Sequence, residues 1–503
     1  MVKIISNAEV AGYDRASHNR WGYNALDCAV MHEVHSELAD VMVERTRAGK
    51  VYRAQLGLQA PTMLCELRGI RFDHEEAKRV IGVLDRAAKR CRRIIDAWAE
   101  SVPEWRSHPA RKHEGLNPNS PEQVKGFFYG ALGIPEIRNK YGKVSTDLKT
   151  LEKIRDKKAA NARSPEAARQ VAKAILHARD YIKQQDVPKA HVKLDRARFK
   201  LSVGQTKTFR MSSSADNLGQ GSNVQNVTGR RRGLFLADPG YKLAYIDLAQ
   251  AESNVLAHLS GDENYIEAHV NPDVDTHTMV AKMCWPEADW PGDGAGPLDT
   301  KKAKEPGFYR HFSMRDLSKK VQHAVGRGGT KVTVARDLNI PQRDAQDIID
   351  RFFAGFPEVK NYMDWLHEEL KERGKLVVPG IDVPRLFFDR VWETSVWRDA
   401  LSFVCQAPVA WCTHLGFWRV YKYLDGKSLE PVDPLQLLLH AHDAIMIQYH
   451  EGREDLRRQA MELMLTPLRI RDYKGTVRTV TIGVEAEVGY DWKNVEELEE
   501  SFP

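Results

Sequence analysis

Two aspartates, Asp247 and Asp443, each stand inside an otherwise apolar run: Leu243-Ala-Tyr-Ile-Asp247-Leu-Ala and Leu437-Leu-Leu-His-Ala-His-Asp443-Ala-Ile-Met-Ile. Both runs read as buried strands, and a carboxylate buried without a partner is costly. Any fold that accepts this sequence must therefore bring each aspartate a metal, a cation or a hydrogen-bond network. Taken singly, either one reads first as a structural residue at a strand end. Taken together they read differently, because Asp443 lies between two strand-like runs that suggest a hairpin. Antiparallel pairing would bring both carboxylates to one sheet edge. Two Mg²⁺ ions, or Mn²⁺ in their place, would bridge them there, activating an attacking hydroxyl and stabilising a leaving pyrophosphate. His442 is then a neighbour that positions the strand and a primer end, and is not a metal ligand.

A second pattern supplies the substrate for such chemistry. Arg315, Lys319, His323 and Arg327 are spaced by four, which places them in one stripe on a helix face. Stacked like charges repel unless something anionic lies over them. A triphosphate supplies that charge, with Arg315 and Lys319 as its contacts and His323 further along towards sugar or base. A solvated basic face is the plain alternative. Gly326, Gly328 and Gly329 follow at once, and as poor surface-helix residues they suggest close approach by a template or nucleotide. The polar run 207–229 contains Arg210, Asn223, Gln225 and Asn226, read as sugar, phosphate or minor-groove contacts. Glu252, two residues beyond Gln250, either closes a sugar pocket against a 2′-hydroxyl or is an ordinary helix residue.

The remaining organisation is compatible with this centre. A net charge of +6 is modest for 503 residues, but Lys and Arg crowd 86–93, 149–158, 189–200 and 230–232, while 496–500 is acidic. Such local basic surface suits a phosphate-backbone binder, although each cluster taken alone is also an ordinary solvated face. Six scattered cysteines read as reduced thiols, and the absence of a long apolar run or a leader-like start points to a cytoplasmic chain with no membrane partner. Residues 28–48 show helical spacing with Val30, Val34, Leu38 and Val41 on one side. A helix is expected after a cap at Asp73, and 164–184 reads as a solvent-facing helix by propensity. Residues 285–307 read as a loop or insertion.

Several motifs, taken in order, resemble those of family A (polymerase I-like) DNA polymerases. Asp247-Leu-Ala-Gln250-Ala-Glu252, continuing through Leu256-Ala-His-Leu-Ser-Gly-Asp262, resembles motif A. His277 in Asp275-Thr-His-Thr matches a histidine near the triphosphate. Arg315-x₃-Lys319-x₃-His323, running on to Ala335-Arg-Asp-Leu-Asn-Ile340, resembles motif B, and His442-Asp443 resembles motif C. Thr208-Phe-Arg210-Met-Ser-Ser and Asn223-Val-Gln-Asn226 resemble the thumb-to-palm segment. Arg398 and Gln406 match residues that contact template and primer, and Glu485 to Trp492 resembles a C-terminal palm strand.

The resemblance implies an α+β right hand with an antiparallel palm sheet, a helical thumb and helical fingers. It places the thumb at 40–205, the palm at 206–262 and 400–503, and the fingers at 263–399. It implies template-directed addition of deoxynucleoside triphosphates to a primer 3′-end on primer-template DNA, with Glu252 as a gate against ribonucleotides. Tyr23-x₃-Asp27 resembles the last motif of a 3′–5′ exonuclease, so 1–39 is expected to be its remnant. The chain alone is expected not to proofread, leaving room for a separate exonuclease or processivity protein. A virus is one source that such a compact architecture suggests. A specialised nucleotidyltransferase (gap-filling, lesion-tolerant or template-independent) and a non-catalytic DNA-binding accessory protein are the alternatives. Three positions depart from the pattern: His323 replaces an aromatic, Arg327 replaces a tyrosine at the template base, and Ala444 replaces a glutamate after Asp443.

Overall fold

Alternating burial along Tyr241-Lys-Leu-Ala-Tyr-Ile-Asp-Leu248 forms strand β1 (Tyr241–Leu248), the middle of the central sheet. The structure is a computed structural model and describes residues 20–38, 47–139, 142–204, 206–309, 312–378, 380–381, 383–388, 390–424 and 433–498. Four further strands complete the sheet: β2 (Leu435–Ala441), β3 (Ala444–His450), β4 (Val484–Gly489) and β5 (Val495–Glu497). Their order is β5-β4-β1-β3-β2, and every neighbouring pair is antiparallel. All seven residues of β2 are buried, and only His450 of β3 is exposed. That burial on both faces explains why these strands read as continuous apolar runs.

Seven helices position the site and its surroundings. They are α1 (His74–Glu100), α2 (Pro165–Gln184), α3 (Ala251–Ser260), α4 (Thr276–Cys284), α5 (Pro297–Ala303), α6 (Met314–Gly326) and α7 (Thr394–Tyr423). The cap expected at Asp73 is present: its carboxylate accepts the Glu76 N–H at 2.9 Å. The architecture is thus α+β, with helices gathered around an antiparallel sheet.

Two apolar cores form. The larger joins the sheet to α3, α6, α7 and residues as distant as Leu58 and Trp492. The smaller is confined to Cys91–Ala178, where the far end of α1 packs on α2 around Trp105, Phe127 and Phe128. Since α1 contributes Ala77 to the first core and Ile95 to the second, it ties the two together.

Four expectations need correction or fall short. Helix α2 is not a solvent-facing helix: Ala167, Ala168, Val171, Ala172, Ala174, Ile175, Leu176 and Ala178 are buried, because small residues on one face let α1 approach closely. Residues 285–307 are more than a loop, since they contain α5. The glycines after α6 are explained by the protein itself: a Cβ on Gly328 would lie 2.2 Å from the Trp397 ring, and one on Gly329 2.5 Å from the Ala324 carbonyl oxygen. Finally, Val30, Val34 and Leu38 do share a helix, Arg20–Leu38, but they are exposed there. Val41, the Tyr23 side chain and residues 499–500 lie outside the described residues, and Asp27 is exposed.

Candidate active site

Sheet register decides the first pairing. Asp247 on β1 lies opposite Ala444 on β3 and opposite Glu485 on β4. Asp443 immediately precedes Ala444 in the two-residue turn between Ala441 and Ala444, so the two aspartates come to the same end of adjacent strands. The Leu248 N–H donates to the Asp443 carbonyl at 3.2 Å, locking that turn to β1. The turn is tight enough to hold His442 at φ +59°, in the left-handed region. A non-glycine residue there costs roughly 1–2 kcal/mol. Gln250 at φ +48° and Phe209 at φ +62°, beside Arg210, share that conformation, so three such residues flank the same edge.

Asp247 carries the electrostatic signature of the site. Its Oδ1 is buried without a hydrogen-bond partner. Burial first, then the charges of Asp443 and Glu485, push its carboxyl well above the ordinary range. Hard oxygen donors arranged in this way fit a divalent cation, whose charge would reverse those effects.

Helix α6 supplies the opposing wall. Ser313 and Asp316 form a reciprocal capping box, each side chain accepting the other's N–H at 3.1 Å. Leu317, Val321 and Val325 face the core, which turns Arg315, Lys319 and His323 towards the cleft. The cleft has a volume of about 790 Å³ and gathers Arg210, Asp247, Gln250, Glu252, His277, Arg315, Lys319, His323, Arg327, His442 and Asp443.

The charge reasoning behind the basic stripe is corrected here, because two of its members are neutralised by the protein. Arg315 grips Asp275 with Nε at 3.1 Å and Nη2 at 2.7 Å. Although burial alone would raise it, hydrogen bonds from Arg315 and Thr278 hold the Asp275 carboxyl down to about 2. Arg327 lies just past the end of α6 and makes a bidentate pair with Glu252, Nε to Oε2 at 3.2 Å and Nη2 to Oε1 at 3.1 Å. Arg210 donates to Glu252 Oε1 at 2.6 Å, an oxygen that Arg327 also reaches, and Gln406 Nε2 lies 3.5 Å from Oε2. Glu252 is thus a clamped carboxylate, not an ordinary helix residue. Its charged form is favoured by Arg327 and Arg210 against the opposing effect of burial.

Burial disfavours the charged form of the cleft histidines. Desolvation, then Arg315, lowers His277 to about 4, and its Nδ1 lacks a partner. His323 is lowered by desolvation and then by Arg327.

The remaining predicted contacts lie around the cleft and not in its lining. Gln225 is buried and donates to the His440 carbonyl at 2.9 Å. Asn226 Oδ1 lies 3.3 Å from His442 Nε2, and Asn223 accepts the Asn226 N–H. That polar segment therefore braces the turn that carries Asp443. Arg398 donates to the Gly328 carbonyl at 3.1 Å. Glu485, Glu487, Arg232, Tyr245 and Lys304 line the cleft but were not singled out as site residues. Glu485 and Lys304 reach it through sheet pairing and through the 285–307 excursion, neither of which spacing reveals.

The chain matches the family described as DNA polymerase family A over residues 88–289 and 304–494. The thermostable DNA polymerase I of Thermus aquaticus is 27% identical over 402 residues, covering 76% of this chain and 42% of that protein. A counterpart from Thermus thermophilus is 25% identical over 510 residues, covering 97% of this chain and 53% of that protein. The chain spans about half the length of the curated relatives it matches. Among solved structures, the POL domain of Pol1 from M. smegmatis, in complex with DNA primer-template and dNTP, gives a TM-score of 0.69 at 19% identity. That superposition covers 91% of this chain and 72% of that one, a likeness of fold.

Proposed function

This chain belongs to DNA polymerase family A, and from that premise we propose that it is a template-directed DNA polymerase adding deoxynucleotides to a primer 3′-end. The observation that carries the reading is the meeting of Asp247 and Asp443 at one sheet edge, facing Arg315 and Lys319 across a single cleft. Thumb, palm and fingers follow at 40–205, 206–262 with 400–503, and 263–399, with the thumb's own core at 91–178.

Family A DNA polymerases depend on metal, and Asp247 and Asp443 would hold two Mg²⁺ ions here. Among the described residues no cluster of three or more His, Cys, Asp or Glu side chains forms a ready metal cage. A pair of carboxylates without such a cage suits Mg²⁺, which keeps waters and takes its remaining ligands from substrate phosphates. When bound, the metal would supply Lewis-acid activation of the primer hydroxyl and charge for the leaving pyrophosphate.

The chain's own side chains do the rest. Lys319 binds the triphosphate together with Arg315, whose Nη1 takes no part in its contact with Asp275. His277 and His323, whose charged forms burial disfavours, offer hydrogen bonds with less repulsion between cations. Glu252, held from two sides by Arg210 and Arg327, excludes a 2′-hydroxyl. His442, fixed through Asn226, orients the primer end, while Asn223, Gln225, Arg398 and Gln406 support the duplex side. The partners are accordingly primer-template DNA and deoxynucleoside triphosphates. No helix among the described residues is long and apolar enough to cross a membrane.

Primer extension with Mg²⁺ and all four deoxynucleotides, with and without template, tests the reading. Extension that needs both template and metal is expected. Extension without template would replace this reading with that of a terminal transferase. DNA binding without any extension would replace it with that of an accessory protein.

A further inference from the structure

The family match omits residues 290–303, yet this stretch folds against the nucleotide side of the cleft. Its anchor is Asp299, a buried carboxylate 3.3 Å from Lys282 Nζ that also accepts the Gly292 N–H at 3.0 Å. Lys282 donates in addition to the carbonyls of Gly292 and Gly294. The insert then grips the first turn of α4. The Asp275 N–H donates to the Ala295 carbonyl at 3.1 Å, and the Thr278 hydroxyl lies 3.3 Å from that of Thr300. Because Thr278 also donates to Asp275 Oδ1 at 2.7 Å, the backbone and carboxylate of Asp275 are both held, and Arg315 is held through them.

The insert leads directly into Lys304, the first residue after it, which lines the same cleft as Arg315, Lys319 and His277. Charge decides why this matters. Arg315 is neutralised by Asp275 and Arg327 by Glu252, which leaves Lys319, among the described residues, as the uncompensated cation of the stripe. A further cation beside Lys319 would add to the attraction for a triphosphate that the two Mg²⁺ ions and Arg315 supply. Lys282 and Lys302 are ion-paired with Asp299 and Glu305, whereas among the described residues no carboxylate pairs with Lys304.

We propose that the insert is part of the nucleotide site: it braces Asp275 and thereby Arg315, and it presents Lys304 to the terminal phosphates of the incoming nucleoside triphosphate. This rests on the polymerase reading above. Lys304→Ala, Lys304→Arg and the neighbouring exposed control Lys301→Ala are compared by equilibrium binding of the complementary nucleotide to enzyme on a dideoxy-terminated primer, and by single-turnover incorporation. Lys304→Ala should weaken triphosphate binding about three- to fivefold, the scale of a solvent-exposed ion pair, with the maximal incorporation rate unchanged. Lys304→Arg should restore binding, Lys301→Ala should match the parent, and the loss should shrink when the nucleoside diphosphate replaces the triphosphate. Parent-like binding by Lys304→Ala, or an equal loss with the diphosphate, overturns the proposal while leaving the polymerase reading intact. A parent chain that neither binds nucleotide nor extends a primer overturns both.

Discussion

The helical unit at 91–178 and the cleft at the sheet edge are built from the same residue types but closed in opposite ways. In the helical unit the buried polar atoms are paired: Trp105 Nε1 donates to the Gly115 carbonyl at 3.2 Å, and the Tyr129 hydroxyl to Ser145 at 2.6 Å. Among the described residues, the buried side-chain polar atoms that lack a partner all lie outside 91–178. Asp247, Gln250, Arg210 and His277 are among them, all in the cleft. Of the four left-handed non-glycine residues described, Gln250 and His442 line the cleft, Phe209 precedes its Arg210, Asn339 follows a helix elsewhere, and none lies in the helical unit. Other unpartnered polar atoms are spread through the larger core, so what sets the cleft apart is that unsatisfied polar atoms and left-handed backbone occur there together.

The sharpest way to break this comparison is Asp247→Asn. It keeps the shape and removes the charge, and incorporation should fall on the order of a thousandfold or more. Thermal stability should hold or rise, because burial and the charges of Asp443 and Glu485 oppose ionisation at that position. A large loss of melting temperature would mean that Asp247 is structural.

The converse is Phe127→Ala in the helical unit, where the ring is fully buried. Denaturant titration should show a loss of about 3–5 kcal/mol, while the folded fraction keeps its KM for deoxynucleotides. A changed KM at full folding would couple the two regions.

The smallest effect concerns acid. The Asp275 carboxyl is held at about 2, below its ordinary 3.8, so it ionises more readily folded than unfolded. Its contribution is present above about pH 4 and fades as pH falls towards 2. Asp275→Asn should flatten the acid slope of melting temperature in that window. An unchanged slope would mean that the Arg315 contact contributes nothing to folding.

Much of this was legible in the chain itself. The cap at Asp73, the fourfold spacing of Arg315, Lys319 and His323, and the carboxylates inside apolar runs are local, and local geometry follows from neighbouring residues. The exposed stripe at Val30, Val34 and Leu38 and the buried face of α2 were not, because periodicity reports that a face exists and leaves open what covers it. The glycines after α6 read as room for a template or nucleotide, whereas the ring that approaches Gly328 belongs to Trp397, which is distant in sequence.

What the sequence determined alone was therefore the chemistry available: two aspartates that need a cation or a hydrogen-bond network, basic residues that need an anion or water over them, and a glutamate beside them. Tertiary structure decided which charges remain free to act. Strand register set Glu485 against Asp247, and packing gave Arg315 to Asp275 and Arg327 to Glu252. The reason is physical: a charge acts on whatever stands within a few ångströms of it, and the fold alone sets those distances between residues far apart in the chain.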